Sequence, residues 1–331
     1  MRKDLLLTLL LLMLITVGSA YAASLEDRLL SKDHPLRFNA QEEIKNIDTQ
    51  AQGELSFVMV QKLSDSDADV HAYAMDALSR IGVPGIPSLT GALQKGDLRN
   101  RLTALTIMKD IADRDWTNPE TTDQVIPVLT KALQDPESEV RLAAANALGD
   151  LASGSNSPST AAIPDLIKVL DDQNERVRCA AAVTLAKLHG PADKILPVLK
   201  NALTSKEGSM LGAWAIGLLG SEAVSAAPAL IPLLKEEDSA LRVIAAEALE
   251  EIGAGKSESL PVLSALLKDQ HPGVRSAAAR VLVKIVGPQD ASLVPSLIEA
   301  LKDTDRNVQL DAAQVLGKIG PAASAAVPAL A

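Results

Sequence analysis

The chain has 331 residues and a formal net charge of −10, and 47% of its residues are apolar although only 2% are aromatic. The apolar content excludes a disordered chain, and the acidic balance argues against a nucleic-acid partner, whose phosphates require a basic protein face. With so few aromatic rings, the core must be built from Ala, Leu, Val and Ile. Such small aliphatic side chains suit helices that pack closely against other helices.

The first 22 residues have the pattern of a secretory signal peptide. Arg2 and Lys3 precede an apolar run over residues 5–17, and Ala20 and Ala22 are the small residues that a signal peptidase reads. We therefore expect cleavage at the end of this segment and export to the periplasm or the extracellular space. The alternative is an uncleaved anchor, because the apolar run approaches the length that crosses a bilayer. No later stretch is long and apolar enough to do so.

Residues 23–331 carry one sequence pattern many times over. A proline that opens an apolar segment is followed 14 residues later by an anchor residue, in the pairs Pro87–Arg101, Pro127–Arg141, Pro164–Arg178, Pro228–Arg242, Pro261–Arg275 and Pro295–Gln309. Three further residues occupy the same place in less regular repeats: Arg37, His71 and Ser209. Because this period is close to 34 residues, we interpret the chain as an array of repeats.

Each repeat is predicted to form two helices joined by a polar turn. In the repeat anchored at Arg242, the first segment opens with Pro228, a residue that is favourable in a first helical turn. Asp238 in the turn can cap the second helix, and Gly253 is a signal for its end. One helix pair cannot bury both of its apolar faces, so neighbouring repeats must stack and share a continuous core.

The Pro, Asp, Val-Arg, Ala-Ala and Leu-Gly positions of these repeats resemble those of the HEAT repeat family, and more closely its bacterial branch named after phycobilisome lyases. The resemblance covers essentially all of residues 24–331. It implies an all-α, right-handed α-solenoid of about nine two-helix repeats that acts as a binding surface. It also implies a ladder between turn aspartates and anchor arginines, with a structural role for Arg101, Arg141, Arg178, Arg242 and Arg275. His71, Ser209 and Gln309 interrupt that ladder.

The sequence ends with the opening of another first helix. Residues 326–330 repeat the pattern that begins at Pro295, and the chain then stops at Ala331. Terminal repeats usually carry a polar capping face. We interpret the chain as a fragment of a longer protein, and the alternative is that the last residues pack as a short cap.

No pattern in the sequence predicts catalytic, cofactor-binding or metal-binding residues. None of the four histidines lies in a His-Glu-x-x-His arrangement. The acidic run 65–69 opens like a calcium loop, but Val70 stands where such a loop needs glycine, so we expect helix capping instead. Cys179 lies among alanines and is interpreted as a small packing residue. We therefore predict no enzyme, no cofactor and no metal.

One repeat differs from the others at the positions of its second helix that face away from the core. Counted from the anchor, positions +2, +5 and +9 are polar or small in most repeats. In the repeat anchored at Ser209 they are Leu211, Trp214 and Leu218, which we call the apolar strip. Val183 and Ile244 lie beside it in the neighbouring repeats. If second helices line the concave side, as the resemblance implies, the strip lies in a groove.

Two interpretations of the strip remain open. An exposed tryptophan among leucines is typical of a binding hot spot, which predicts a protein or peptide partner. Alternatively, Trp214 only covers a neighbouring helix. A shift of the register that makes Leu211 the anchor would also place Trp214 at a buried position.

The leading hypothesis is an exported, non-enzymatic scaffold that binds a protein or an extended peptide in the groove of the solenoid. One alternative is a chromophore- or ligand-handling protein, by analogy with the bilin lyases of the family. Export to a compartment without an obvious bilin supply and the lone Cys179 argue against it. Another alternative is a sensor or regulatory region of a larger envelope protein.

Overall fold

A computed structural model describes residues 25–115, 118–152, 158–206, 208–253 and 256–330. The predicted leader of residues 1–22 and the terminal Ala331 lie outside these ranges. Leader cleavage and the interpretation of the chain end therefore stay predictions.

The described residues form helices and no β-strand. After a helical segment at residues 25–29, the α-helices in chain order are α1 (His34–Glu43), α2 (Thr49–Lys62), α3 (Ala68–Ile81), α4 (Ile86–Lys95), α5 (Leu98–Arg114), α6 (Pro119–Ala132), α7 (Ser138–Asp150), α8 (Ile163–Val169), α9 (Glu175–Lys187), α10 (Ala192–Ala202), α11 (Ser209–Leu218), α12 (Ala227–Leu230), α13 (Ser239–Glu251), α14 (Lys256–Leu266), α15 (Pro272–Ile285), α16 (Val294–Ala300), α17 (Arg306–Ile319) and α18 (Val327–Leu330).

Short 3-10 helices lie between several of them, at Ile44–Asn46, Val83–Gly85, Pro158–Ala162, Gly220–Ala226, Ile231–Lys235, Ala291–Leu293 and Gly320–Ala326.

These helices alternate as first and second helices of the predicted repeats. Every anchor residue lies on an odd-numbered helix from α1 to α17, and a first helix or helical segment precedes each of them. The prediction of an all-α solenoid of about nine two-helix repeats is confirmed for the described residues.

Local sequence signals account for where the second helices begin and end. Asp238 caps α13, because its carboxylate accepts a hydrogen bond of 2.8 Å from the backbone N–H of Ala240. Asp305 caps α17 in the same way. After α13, Gly253 has a φ of 66°, a conformation that residues with a Cβ rarely adopt. Side-chain capping thus supplies partners for backbone groups that a helix leaves unpaired at its ends.

The expectation that first helices open with their proline is correct for some repeats and wrong for others. Pro87 and Pro295 lie in the first turns of α4 and α16. Pro127 and Pro261 lie inside α6 and α14, because those helices begin several residues earlier. An internal proline removes one helical hydrogen bond, a loss that tertiary packing of the apolar face offsets here.

The chain divides into two compact units, Met1–Asp165 and Leu166–Ala331. The first contains the first four repeats. The second contains repeats five to nine, apart from the start of α8, and its core holds fully buried aliphatic residues such as Ala245, Ala246 and Leu249. The prediction of one continuous domain over residues 23–331 stays a prediction. Within the described ranges, no helix combines the length and the apolar character that crossing a membrane requires.

Candidate functional site

The apolar strip lies on the surface of the second unit. Leu211 is 51% exposed, Trp214 40% and Leu218 37%, whereas Ala213 and Ile216 on the same helix are fully buried. The register that takes Ser209 as the anchor is therefore correct, and the alternative register that buried Trp214 is wrong. Helix α11 thus presents Leu211, Trp214 and Leu218 to solvent and turns Ala213 and Ile216 to the core.

Glycines explain why α11 lies in this orientation. A Cβ added at Gly212 would lie 3.2 Å from the carbonyl oxygen of Leu199, so α11 packs very closely on α10. A Cβ added at Gly217 would lie 3.3 Å from the Cα of Ala248, so α11 also packs closely on α13. Small residues at both contacts allow the helices to approach. The side of α11 that carries Leu211, Trp214 and Leu218 is left facing outward.

The residues around the strip come from the neighbouring second helices and from α11 itself. Val183 on α9 and Ile244 on α13 are half-buried. The Nζ atom of Lys187 lies 5.7 Å from the centroid of the Trp214 ring, a cation–π geometry. Met210 is 37% exposed and adds to the apolar surface. Met210 was not predicted from the sequence, because position +1 was not among the positions expected to face outward.

The corresponding surface of the following repeats is charged. Arg280 on α15 binds Glu247 on α13 at 2.8 Å. Lys284 binds Glu250 at 3.1 Å, so α13 and α15 are linked by ion pairs on this face. In the last repeat, burial raises the pKa of Asp311 at the position that corresponds to Leu211. The apolar strip therefore contrasts with its surroundings on the second unit.

Most anchor residues bind the turn of their own repeat. The Nη1 atom of Arg178 donates to the carbonyl oxygens of Asp172 and Gln173, at 2.7 and 3.1 Å. The same pair of bonds occurs at three other anchors: Arg141, Arg242 and Arg275. Gln309 makes one such bond, with Nε2 2.6 Å from the carbonyl oxygen of Asp303. The anchor thus holds the turn between the two helices of a repeat.

Ion pairs join several anchors to the next repeat. The pairs are Arg101–Asp135 at 2.6 Å, Arg242–Asp269 at 2.9 Å and Arg275–Asp303 at 2.7 Å. The acceptor is in each case the aspartate six residues before the next anchor.

These ion pairs change the acidity of their aspartates. The hydrogen bond from Arg275 holds the pKa of Asp303 below its usual range. Burial raises the pKa of Asp269, but bonds from Arg242 and from the backbone N–H of His271 outweigh that effect and lower the pKa overall.

The pairing needs both an arginine and that aspartate, and the repeat of the apolar strip has neither. Leu203 occupies its acceptor position, opposite Arg178 of the preceding repeat, and Ser209 replaces its arginine. Arg178 donates its hydrogen bonds to the carbonyl oxygens of Asp172 and Gln173 in its own turn. The repeat of the apolar strip is thus also one of those where this pattern of ion pairs is interrupted.

The described residues contain no group of three or more His, Cys, Asp and Glu side chains arranged to hold a metal ion. In the acidic turn before α3, Asp65 accepts a hydrogen bond from the backbone N–H of Asp67, and Asp67 accepts one from that of Asp69. Asp67 therefore caps α3, and Asp65 holds the turn that precedes it. Cys179 is buried, and that burial raises the pKa of its thiol.

Stacked pairs of helices with anchored turns define an α-solenoid of the repeat type. The family described as HEAT repeats matches residues 126–220, 197–283 and 260–331, which together exceed half of the chain. The chain therefore belongs to the HEAT repeat family. A comparison with curated proteins found no match.

Solved structures with the same fold include an engineered protein and two karyopherins. The engineered protein is 25% identical with a TM-score of 0.60, over 90% of this chain and 88% of that one. Importin beta is 15% identical with a TM-score of 0.57, over 92% of this chain and 45% of that one. The karyopherin Kap121p, bound to the extreme C-terminus of the protein phosphatase Cdc14p, is 18% identical with a TM-score of 0.57.

The alignment with Kap121p covers 88% of this chain and 36% of that one. This chain thus spans less than half the length of either karyopherin. At these identities the two karyopherins show a shared fold.

Proposed function

We propose that this protein is an exported, non-enzymatic scaffold that binds a protein or peptide partner through the apolar strip. The observation that carries the proposal is the exposure of Leu211, Trp214 and Leu218 in one row on one helix. Tryptophan is one of the residues that supply most of the binding energy of many interfaces, and it does so where neighbouring side chains exclude water from it. Soluble proteins seldom leave such a row exposed without a use for it.

Two further observations support the scaffold role. A solenoid presents side chains from successive second helices on one continuous surface, which suits the recognition of another chain. Kap121p, which has a similar fold, is seen bound to the C-terminus of another protein. The proposal that the chain is not an enzyme rests on this architecture and on the absence of a catalytic motif in the sequence.

A capture experiment tests the binding role. The mature protein, immobilised on beads, is incubated with the cell-envelope fraction of the organism that produces it. We expect Trp214→Ala to lose a partner that the unchanged protein retains. Leu310→Ala is the matched control, because Leu310 is 58% exposed on α17 and lies outside the strip. Equal capture by all three proteins would show that the strip is not the binding surface.

Export is tested separately by N-terminal sequencing of the protein recovered from each cell fraction. The expected mature protein begins at Ala23 and is found outside the cytoplasm, because the residues before it form the pattern of a leader. Recovery of an uncleaved chain from the membrane fraction would favour the anchor. Recovery of an uncleaved chain from the cytoplasm would contradict export.

A further inference from the structure

The three side chains of the apolar strip form a ridge. Their spacing of three and four residues places them in one row along α11, about 10 Å long at 1.5 Å per residue. They project from the surface, whereas Val183 and Ile244 on either side are half-buried. A ridge of this kind fits into the groove between the side-chain rows of another helix.

An extended peptide fits the surface less well. Such a peptide would cross the second helices and meet, at the positions that correspond to Leu211, Ala180 on α9, Ile244 on α13 and Ala277 on α15. Both alanines are buried and Ile244 is half-buried, so none of the three projects as Leu211 does. The exposed apolar surface is thus concentrated along one helix, which favours a partner that lies along that helix.

The border of the ridge on the α13 side is acidic. Glu247 and Glu251 occupy the positions that correspond to Trp214 and Leu218 in the next repeat. Both side chains are exposed, and Glu247 remains about half exposed although it binds Arg280. The border on the α9 side holds Val183 and Lys187, whose ammonium group lies over the Trp214 ring. A partner helix therefore meets carboxylates on one of its sides.

We propose that the apolar strip binds an amphipathic helix of a partner protein, with Lys or Arg along the edge of its apolar stripe that faces α13. This inference rests on the proposed function, because it names the partner of the same surface. The apolar stripe covers the ridge, and the basic side chains lie beside Glu247 and Glu251. An acidic edge in that place would bring like charges together, which weakens binding.

Three synthetic peptides of 18 residues test this inference against the mature protein. The first carries leucines along one helical face with lysines at one edge, the second has glutamates in place of those lysines, and the third has the composition of the first in scrambled order. Affinities are measured by isothermal titration calorimetry at low and high salt. We expect the lysine peptide to bind at least about tenfold more tightly than the other two, with a smaller margin at high salt.

Substitutions connect this preference to the surface. Glu251→Lys is expected to reduce the affinity for the lysine peptide and to increase that for the glutamate peptide. Trp214→Ala is expected to weaken both about tenfold or more. Circular dichroism of each variant shows whether its fold is retained. Equal binding of the lysine and scrambled peptides, or no effect of Glu251→Lys, would overturn the inference.

Two further measurements test other occupants of the strip. Sedimentation that shows a dimer lost in Trp214→Ala, or binding to phosphatidylglycerol vesicles that requires Trp214, would overturn the inference in favour of a second copy or a lipid surface. If no peptide binds but capture from the envelope fraction still requires Trp214, the helix is wrong and the proposed function stands. If neither experiment depends on Trp214, both fail.

Discussion

Arg275 donates two hydrogen bonds to Asp303 across the boundary between the eighth and ninth repeats, at 2.7 and 3.0 Å. The two side chains are only 14% and 9% exposed. Arg275 also holds two carbonyl groups of its own turn. One guanidinium group therefore holds the turn of its own repeat and also binds the next repeat. It can do both because its five donors lie in a rigid plane.

Arg275→Gln is expected to separate these two roles. Gln309 shows that glutamine at an anchor retains a bond to its own turn, so this substitution removes mainly the contact with Asp303. The change leaves a nearly buried carboxylate without its cation, and we expect the free energy of unfolding to fall by about 1–3 kcal/mol. Denaturant titration measures it. Arg178→Gln is the control, and an equal loss there would show that the contact with Asp303 adds nothing.

The contribution of this ion pair is expected to depend on pH. Arg275 lowers the pKa of Asp303 in the folded protein, so the unfolded chain takes up the proton more readily. The stabilisation is therefore fully present above the unfolded pKa, near about 4, and is lost as the pH falls through the lower folded value. Denaturant titrations from pH 7 to pH 3 are expected to show a shrinking difference between the unchanged protein and Arg275→Gln. A difference that stays constant over this range would contradict the assignment.

Trp214→Ala is expected to cost less stability than Ile216→Ala. Ile216 is fully buried on the same helix, and truncation of a buried isoleucine costs about 2–5 kcal/mol. Trp214 is 40% exposed, so part of its ring gains nothing from folding. Thermal and denaturant unfolding of both variants compare the two. If Trp214→Ala lost more stability than Ile216→Ala and still retained the partner in the capture experiment, the role of the tryptophan would be packing.

Two glycines at the same position of different repeats are expected to respond differently to alanine. Gly217 and Gly317 both lie eight residues after their anchors, but an added Cβ meets Ala248 at 3.3 Å in the first case and nothing within 4 Å in the second. Gly317→Ala is expected to raise the free energy of unfolding by about 0.5–1 kcal/mol through helix propensity. Gly217→Ala is expected to gain less or to destabilise, because α11 and α13 must move apart. Equal gains in denaturant titrations would refute the close contact.

The spacing of the repeats predicted much of this structure correctly. The anchors, the polar turns and glycine signals such as Gly253 depend on neighbours in the sequence, because helix periodicity and capping are local properties. The outward positions of α11 were correct as well, since one helix has a fixed period. The predicted starts of α6 and α14 were wrong, because the sequence pattern does not distinguish a proline inside a helix from a proline in its first turn.

The sequence by itself determined the number of the repeats, their helical character and the unusual composition of α11. Only the tertiary structure decided which arginines reach the next repeat, because the acceptors lie 27 to 34 residues away along the chain. It also decided that Trp214 and Met210 are exposed, since exposure depends on the close packing of Gly212 and Gly217 against neighbouring helices. A contact between two repeats depends on the local sequence of both, and neither local sequence by itself sets the distance between the two side chains.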